Sequence, residues 1–159
     1  MVTLEIVTWI PYFRAVKNAI KALLQGVLGY RNYLRYFSWF KVKTLHRDSR
    51  EDDFFAFLAK LPEDGTVLDI GANLGLHSVI LGKCGYEVRS YEPDPAHHEI
   101  LRGNLELNGI RGIETHNAAI SSKNGEMEFV RVLGNTTGSH LAGSKPNPYG
   151  SLERFPVKL

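Results

Sequence analysis

Cysteine is nearly absent from this 159-residue chain, and its one copy, Cys84, can close no internal disulfide and supply no cysteine-rich metal site. No metal centre is expected, and the scarcity suits a reducing compartment. No apolar run approaches the roughly 18 residues that a membrane-spanning helix requires. Met1 is not followed by a charged region, an apolar core and a small-residue cleavage site, so no secretory signal is expected. The expected location is cytoplasmic or peripheral to a membrane. Internal repeats and low-complexity tracts are also lacking. What remains is ordinary: 43% hydrophobic and 23% charged residues fit one globular domain and not a disordered chain.

Acidic residues are scarce at one end. Residues 1–50 carry nine Lys or Arg against only Glu5 and Asp48, a net +7, which leaves −5 for residues 51–159 of the overall +2. Nine of the 17 aromatic residues lie between Trp9 and Phe40. This break near Asp48 divides the chain into a basic, aromatic-rich helical segment, residues 1–48, and an α/β portion, residues 49–159. In the first, Pro11 and Gly26 or Gly29 bracket a helix. At 100° per residue, Tyr12, Phe13, Val16, Ile20, Leu23, Leu24 and Val27 fall on one side, with Arg14, Lys17 and Lys21 on another. A second helical run follows through Tyr30–Lys43. Such a segment suits packing against the α/β layer or peripheral contact with an anionic membrane surface. Nucleic acid is not an expected partner, because no base-reading motif is present and the rest of the chain is acidic.

From residue 49 the periodicity changes. Ser49 and Asp52 resemble a capping box before a short helix with apolar positions Phe54, Phe55, Leu58 and Leu61, ended by Pro62 and a Glu63-Asp64-Gly65 turn. Thr66–Ile70 is the short apolar run expected of a strand buried on both faces. A glycine-bearing turn, a helix through Leu76–Gly82 and a second strand at Glu87–Tyr91 follow. Asp94 is placed to cap the next helix, with Pro95 in its first position and Ile100, Leu101 and Leu105 turned inward. Ile113–Ile120 is the third strand candidate. Alternating strands and helices predict a parallel α/β layer. Asn124-Gly125 is a turn signal, Glu126–Leu133 a strand, Gly134–Gly150 a loop and Phe155–Leu159 the start of another apolar stretch.

The chemistry concentrates in Val67-Leu-Asp-Ile-Gly-Ala-Asn-Leu-Gly-Leu-His-Ser78 and Glu92. Gly71 removes the Cβ that would block a ligand at the end of the first strand, Asn73 tolerates unusual backbone angles, and Gly75 allows close packing where the helix starts. The helix amino end favours an anionic ligand group. Glu92, 21 residues beyond Gly71 at the tip of the neighbouring strand, stands where a carboxylate accepts hydrogen bonds from ribose hydroxyls. Asp69 suits a cationic group. The dinucleotide pattern G-x-G-x-x-G fails twice, at Asn73 and Leu76. S-adenosyl-L-methionine, with a sulfonium, an ammonium and a carboxylate, suits these residues better. Plainer roles exist beside these: a tight turn for the glycines, local hydrogen bonds for Asp69, a solvated strand end for Glu92, core packing for Cys84. His97 and His98 are adjacent and cannot form a metal pair on one helical face.

These stretches, with Tyr-Glu-Pro-Asp-Pro at 91–95, Asn-Leu-Glu-Leu-Asn-Gly at 104–109 and Asn-Ala-Ala-Ile-Ser at 117–121, resemble the FkbM-type methyltransferases, a branch of the class I S-adenosylmethionine-dependent enzymes. The resemblance implies a Rossmann-like α/β fold and O-methylation of a hydroxyl on a small-molecule or glycolipid acceptor. It also implies a cofactor site in which Asp69, Gly71, Asn73 and Gly75 line the methionine end, Glu92 binds ribose and Asn117 lies on the adenine side. No catalytic base follows from it; His116 and His140 are the histidines to test. The family's next motif, an acidic strand reading Asp-x-Glu-Gly, does not occur before Leu159. The sheet is therefore expected to be incomplete within this chain, leaving an unpaired edge prone to self-association. The competing expectation is a non-catalytic fragment that retains nucleoside binding or serves as an interaction module.

Overall fold

The computed structural model describes residue 16 and residues 19–44, 52–62, 65–133, 135–145 and 151–159. The capping pair at Ser49 and the acids of the Glu63-Asp64 turn lie outside the described residues. Residues 19–28 form a helix, α1, which stops at Gly29; glycine there takes φ +73°, a left-handed angle that closes helices without a Cβ penalty. Helix α2 (Tyr30–Thr44) follows, then α3 (Asp52–Leu58). The α/β layer runs β1 (Thr66–Ile70), α4 (Leu76–Lys83), β2 (Glu87–Tyr91), α5 (Pro95–Leu107) and β3 (Glu114–His116). The three strands pair in parallel in the order β1-β2-β3, with Val67 opposite Val88 and Arg89 opposite Glu114.

Local chemistry places the ends of α5. Asp94 is its N-cap and accepts from the backbone N–H groups of Ala96 and His97, with Pro95 in the first turn where no N–H is needed. Gly109, at φ +67°, ends it. The inward face of α5 is the centre of the core. Leu101 and Leu105 pack with Val42, Ala72 and Val79, while Ile100 and Ala96 pack with Tyr33 and Leu34 of α2. Leu34 and Leu101 are fully buried, each contributing up to about 1.5–3 kcal/mol. A third cluster, Leu58, Leu81 and Val88, fastens α3 beneath α4 and β2, and Tyr86 donates its hydroxyl to the Leu58 carbonyl at 2.6 Å.

A second sheet, antiparallel and ordered β5-β4-β6, is built from β4 (Glu126–Val132), β5 (His140–Leu141) and β6 (Leu152–Lys158). Pro156 is tolerated because β6 is an edge strand among the described residues.

Several expectations change. β1 is not buried on both faces: Leu68 and Ile70 are 56% and 58% exposed, because β1 is an edge strand among the described residues and one of its faces is uncovered. The third strand is three residues long, not eight, since only Glu114–His116 find partners on β2. Cys84 is exposed at the C-cap of α4 and does not pack in the core. Phe54 is also exposed, and the stretch expected as loop holds a 3-10 turn at Thr136–Gly138 and strand β5.

Gly75 sits where the two helices of the layer meet. A Cβ there would lie 2.8 Å from Leu101 Cγ and 3.3 Å from Leu101 Cα, at a φ of +80° that side chains rarely adopt. Gly75→Ala is expected to cost roughly 2–4 kcal/mol of stability by urea denaturation, from left-handed strain and overpacking together. A loss below about 1 kcal/mol would show that the helix junction yields easily.

Candidate functional site

The turn after β1 is held from below by its neighbour. Gly71 N and Ala72 N both donate to the Tyr91 carbonyl, at 2.9 and 3.0 Å, which curls the chain back over the tip of β2. Three residues of this turn take left-handed angles: Gly71 at φ +77°, Asn73 at +53° and Gly75 at +80°. No atom lies within 4 Å of the Cβ position at Gly71, so that glycine leaves open space at the strand end, whereas Gly75 is packed. The far side of the turn is clamped by Asn104, buried on α5, whose side-chain N–H donates to the Leu74 carbonyl at 2.7 Å.

Glu92 closes the arrangement. Its carboxylate is buried and accepts from Asn73 N through Oε2 and from Asp94 N through Oε1, both at 2.8 Å. It is therefore not a solvated strand end. One side chain ties the turn after β1 to the turn after β2. A carboxylate offers about four acceptor positions, so two remain for a ligand's hydroxyl donors. Burial pushes the Glu92 carboxyl up to about 7, against the opposing pull of its two backbone N–H donors; the nearby charges of Asp94 and Asp69 raise it further.

Asp69 is half-buried and accepts from Ser78 Oγ at 2.6 Å, with Ser78 in turn 2.9 Å from the buried Ser90 hydroxyl. Asn117 is exposed and donates its amide hydrogens to the carbonyls of Glu92 and Pro93, at 2.8 and 3.0 Å, bracing the loop that carries the carboxylate.

A cleft of about 590 Å³ opens beside this turn, lined by Gly71, Asn73 and Glu92 among the sequence-selected residues, with Asp69, Gly75 and Asn117 outside its lining. His77 and Phe129 also face it, and α1 and α2 form its far wall through Lys21, Gln25, Tyr33 and Phe37. Two buried polar atoms of these walls have no hydrogen-bond partner among the described residues: the acceptor Asn73 Oδ1 and the donor Gln25 Nε2. Both atoms belong to residues that line one cleft, where an unmet donor and an unmet acceptor suit a ligand with both an anionic and a cationic group. A larger surface groove of about 910 Å³ between α2 and α5 holds none of the candidate cofactor-binding residues, though Asn104, Glu106 and Leu107 of the 104–109 stretch line it.

A second polar cluster supports the loop from behind. Asp94, fully buried, receives a two-pronged contact from Arg131 of β4, with Nε and Nη2 each at 2.6 Å from its carboxylate. The guanidinium is stacked between the rings of Tyr30 and Phe155, at 4.9 and 4.6 Å. Burial opposes ionisation of Asp94, but Arg131 overcomes it and holds the carboxyl below the usual aspartate value. His97 is buried in the same cluster and pushed down to about 4, chiefly by burial, so it is neutral, and its Nε2 shares a 2.7 Å hydrogen bond with the Tyr30 hydroxyl. His97 thus has a structural place that its sequence context did not signal.

The histidines considered as bases lie elsewhere. His116 stacks on Tyr91 with ring centroids 4.5 Å apart and pairs with Glu114, and His140 engages the Gly138 carbonyl through Nδ1; neither lines the cleft. Among the described residues, no group of three or more His, Cys, Asp or Glu is placed to hold a metal ion.

No family model matches the chain. The chain is 22% identical over 102 residues to "Methyltransferase 1" of Beauveria bassiana, covering 61% of this chain and 41% of that protein. It is 32% identical over 87 residues to "Methyltransferase sdnD" of Sordaria araneosa, covering 50% of this chain and 33% of that one. The chain spans less than half the length of these curated relatives, both of which carry the name methyltransferase.

Proposed function

We propose that the cleft binds S-adenosyl-L-methionine and that the chain forms the cofactor-holding part of a class I, FkbM-type O-methyltransferase acting on a hydroxyl of a small-molecule or glycolipid acceptor. The observation that carries this reading is the buried Glu92 carboxylate, tied to the glycine turn through Asn73 N with acceptor capacity to spare. Vicinal ribose hydroxyls are matching donors. The residues present fit the remainder of the cofactor: Asn73 Oδ1 is an unmet acceptor for an ammonium group, and Gln25 Nε2 an unmet donor for a carboxylate. Asp69 adds negative charge behind the turn, and Gly71 leaves the strand end open to close approach. When bound, the cofactor supplies an electrophilic methyl group on a sulfonium. The protein's contribution is to hold that group in line with an acceptor oxygen and keep the cleft partly dry.

The two ends of the cofactor are separable in a test. Gln25→Ala is expected to weaken S-adenosylmethionine binding about tenfold, the cost of one lost charge-assisted hydrogen bond. It should leave the affinity for 5′-methylthioadenosine, which lacks the amino-acid end, unchanged by calorimetry. Equal loss for both ligands, or none for either, contradicts this placement.

A further inference from the structure

Helix α1 is seated with its polar side inward. Lys21 and Gln25 are half-buried and line the cleft, while Ile20, Leu23 and Val27 are 53%, 68% and 75% exposed on the opposite side. Val16, Leu24 and Leu28 are exposed as well. At 100° per residue these six aliphatic side chains occupy an arc of about 140°, an apolar stripe turned away from the cleft. A stripe of this kind on a helix normally faces a core. Here the core is behind the polar side, so the stripe faces outward.

We propose that α1 is a membrane-surface helix that lays this stripe into the interface of an anionic bilayer. Charge identifies the occupant. Between Glu5 and Asp48 the chain contains eight Lys or Arg and no acidic residue, so a second copy of this segment would meet it with like charge, whereas acidic headgroups are complementary. Helix α2 adds Tyr36, Trp39 and Phe40, all more than half exposed, and rings of this kind favour the headgroup level. No helix among the described residues is long and apolar enough to cross a membrane, which fits a helix lying on the surface. Since Lys21 and Gln25 of the same helix wall the cleft, the docked protein holds that cleft beside the bilayer. On the methyltransfer reading above, and only on it, the acceptor is then a lipid-borne hydroxyl compound.

The test is flotation of the full chain with vesicles of phosphatidylcholine alone or with about 30% phosphatidylglycerol. The wild-type chain is expected to float with the anionic vesicles, remain behind with the neutral ones, and dissociate in high salt. Leu23→Glu/Val27→Glu should lower partitioning at least about tenfold. Because both side chains are exposed, this variant should keep the wild-type circular dichroism and the wild-type S-adenosylmethionine affinity, which separates failure of this proposal from failure of the cofactor reading. Equal flotation of the double variant overturns the proposal. So does a wild-type chain that ignores anionic vesicles, or one that forms a dimer dissolved by these substitutions, which would assign the stripe to a second copy.

Discussion

Glu92→Ala is expected to lower the affinity for S-adenosylmethionine at least about 100-fold, measured by calorimetry on the full chain. Two effects combine. Two hydrogen bonds from ribose to an ionised acceptor are lost, each of order 1.5–3 kcal/mol when buried. The backbone N–H groups of Asn73 and Asp94 also lose the oxygens that register the two turns against each other. A pH dependence accompanies the change. With the Glu92 carboxyl at about 7, the charged acceptor is about half populated at neutrality and grows with pH, so affinity should rise between pH 6 and 8; Glu92→Gln, which cannot ionise, should flatten that rise. Folding stability responds with the opposite sign. A carboxyl raised from its ordinary 4.5 favours the fold when protonated, so this contribution is fully present below about pH 4.5 and is lost as pH rises through about 7. His97 runs the other way: depressed from 6.5 to about 4, it contributes stability above pH 6.5 that is lost as pH falls through about 4. The two partly cancel for folding, which leaves ligand affinity as the cleaner readout.

Arg131→Ala should be the most destabilising of the exchanges considered. It leaves the fully buried Asp94 carboxylate without its guanidinium, and stranding one partner of a buried pair costs about 3–5 kcal/mol. For a chain of this size that lowers the melting temperature by about 10 °C. Arg131→Lys should not restore it, because an ammonium supplies neither the paired geometry nor the flat surface stacked between Tyr30 and Phe155. Asp94→Asn/Arg131→Met should cost less than the sum of its single changes, since it removes both charges together. A single Arg131→Ala variant that melts with the wild type would mean that water replaces the pair at little cost. The expected loss reaches the cleft as well, because Asp94 N is one of the two donors that orient Glu92.

The parts of the molecule legible in the sequence are those written into short stretches. Thr66–Ile70 and Glu87–Tyr91 are strands with the expected limits, Asp94 and Pro95 start α5 as their side chains dictate, and Asn73 does take a left-handed angle. Each depends on neighbours a few residues away. What was not legible depends on distant partners. Arg131 reaches Asp94 across 37 positions, and β4, itself legible as a strand, finds β6 through a long connection, so the pairing of the second sheet has no local signature. Gln25 faces the cleft only because α1 docks by its polar side, which inverts the reading of an amphipathic helix as core-facing. The exposed face of β1 is a similar case: Leu68 and Ile70 have the composition of a buried strand, but burial depends on what covers the sheet. Within the site, the turn and Glu92 were identifiable from spacing; that this carboxylate is buried and already holds two backbone donors was not.

The most direct measurement is a titration of S-adenosylmethionine into the full wild-type chain, followed by heat or by amide chemical shifts. Saturable one-site binding is expected, with the largest shifts at Gly71, Asn73 and Glu92. Absence of binding at about 1 mM ligand, corresponding to less than about 4 kcal/mol of affinity, would contradict it.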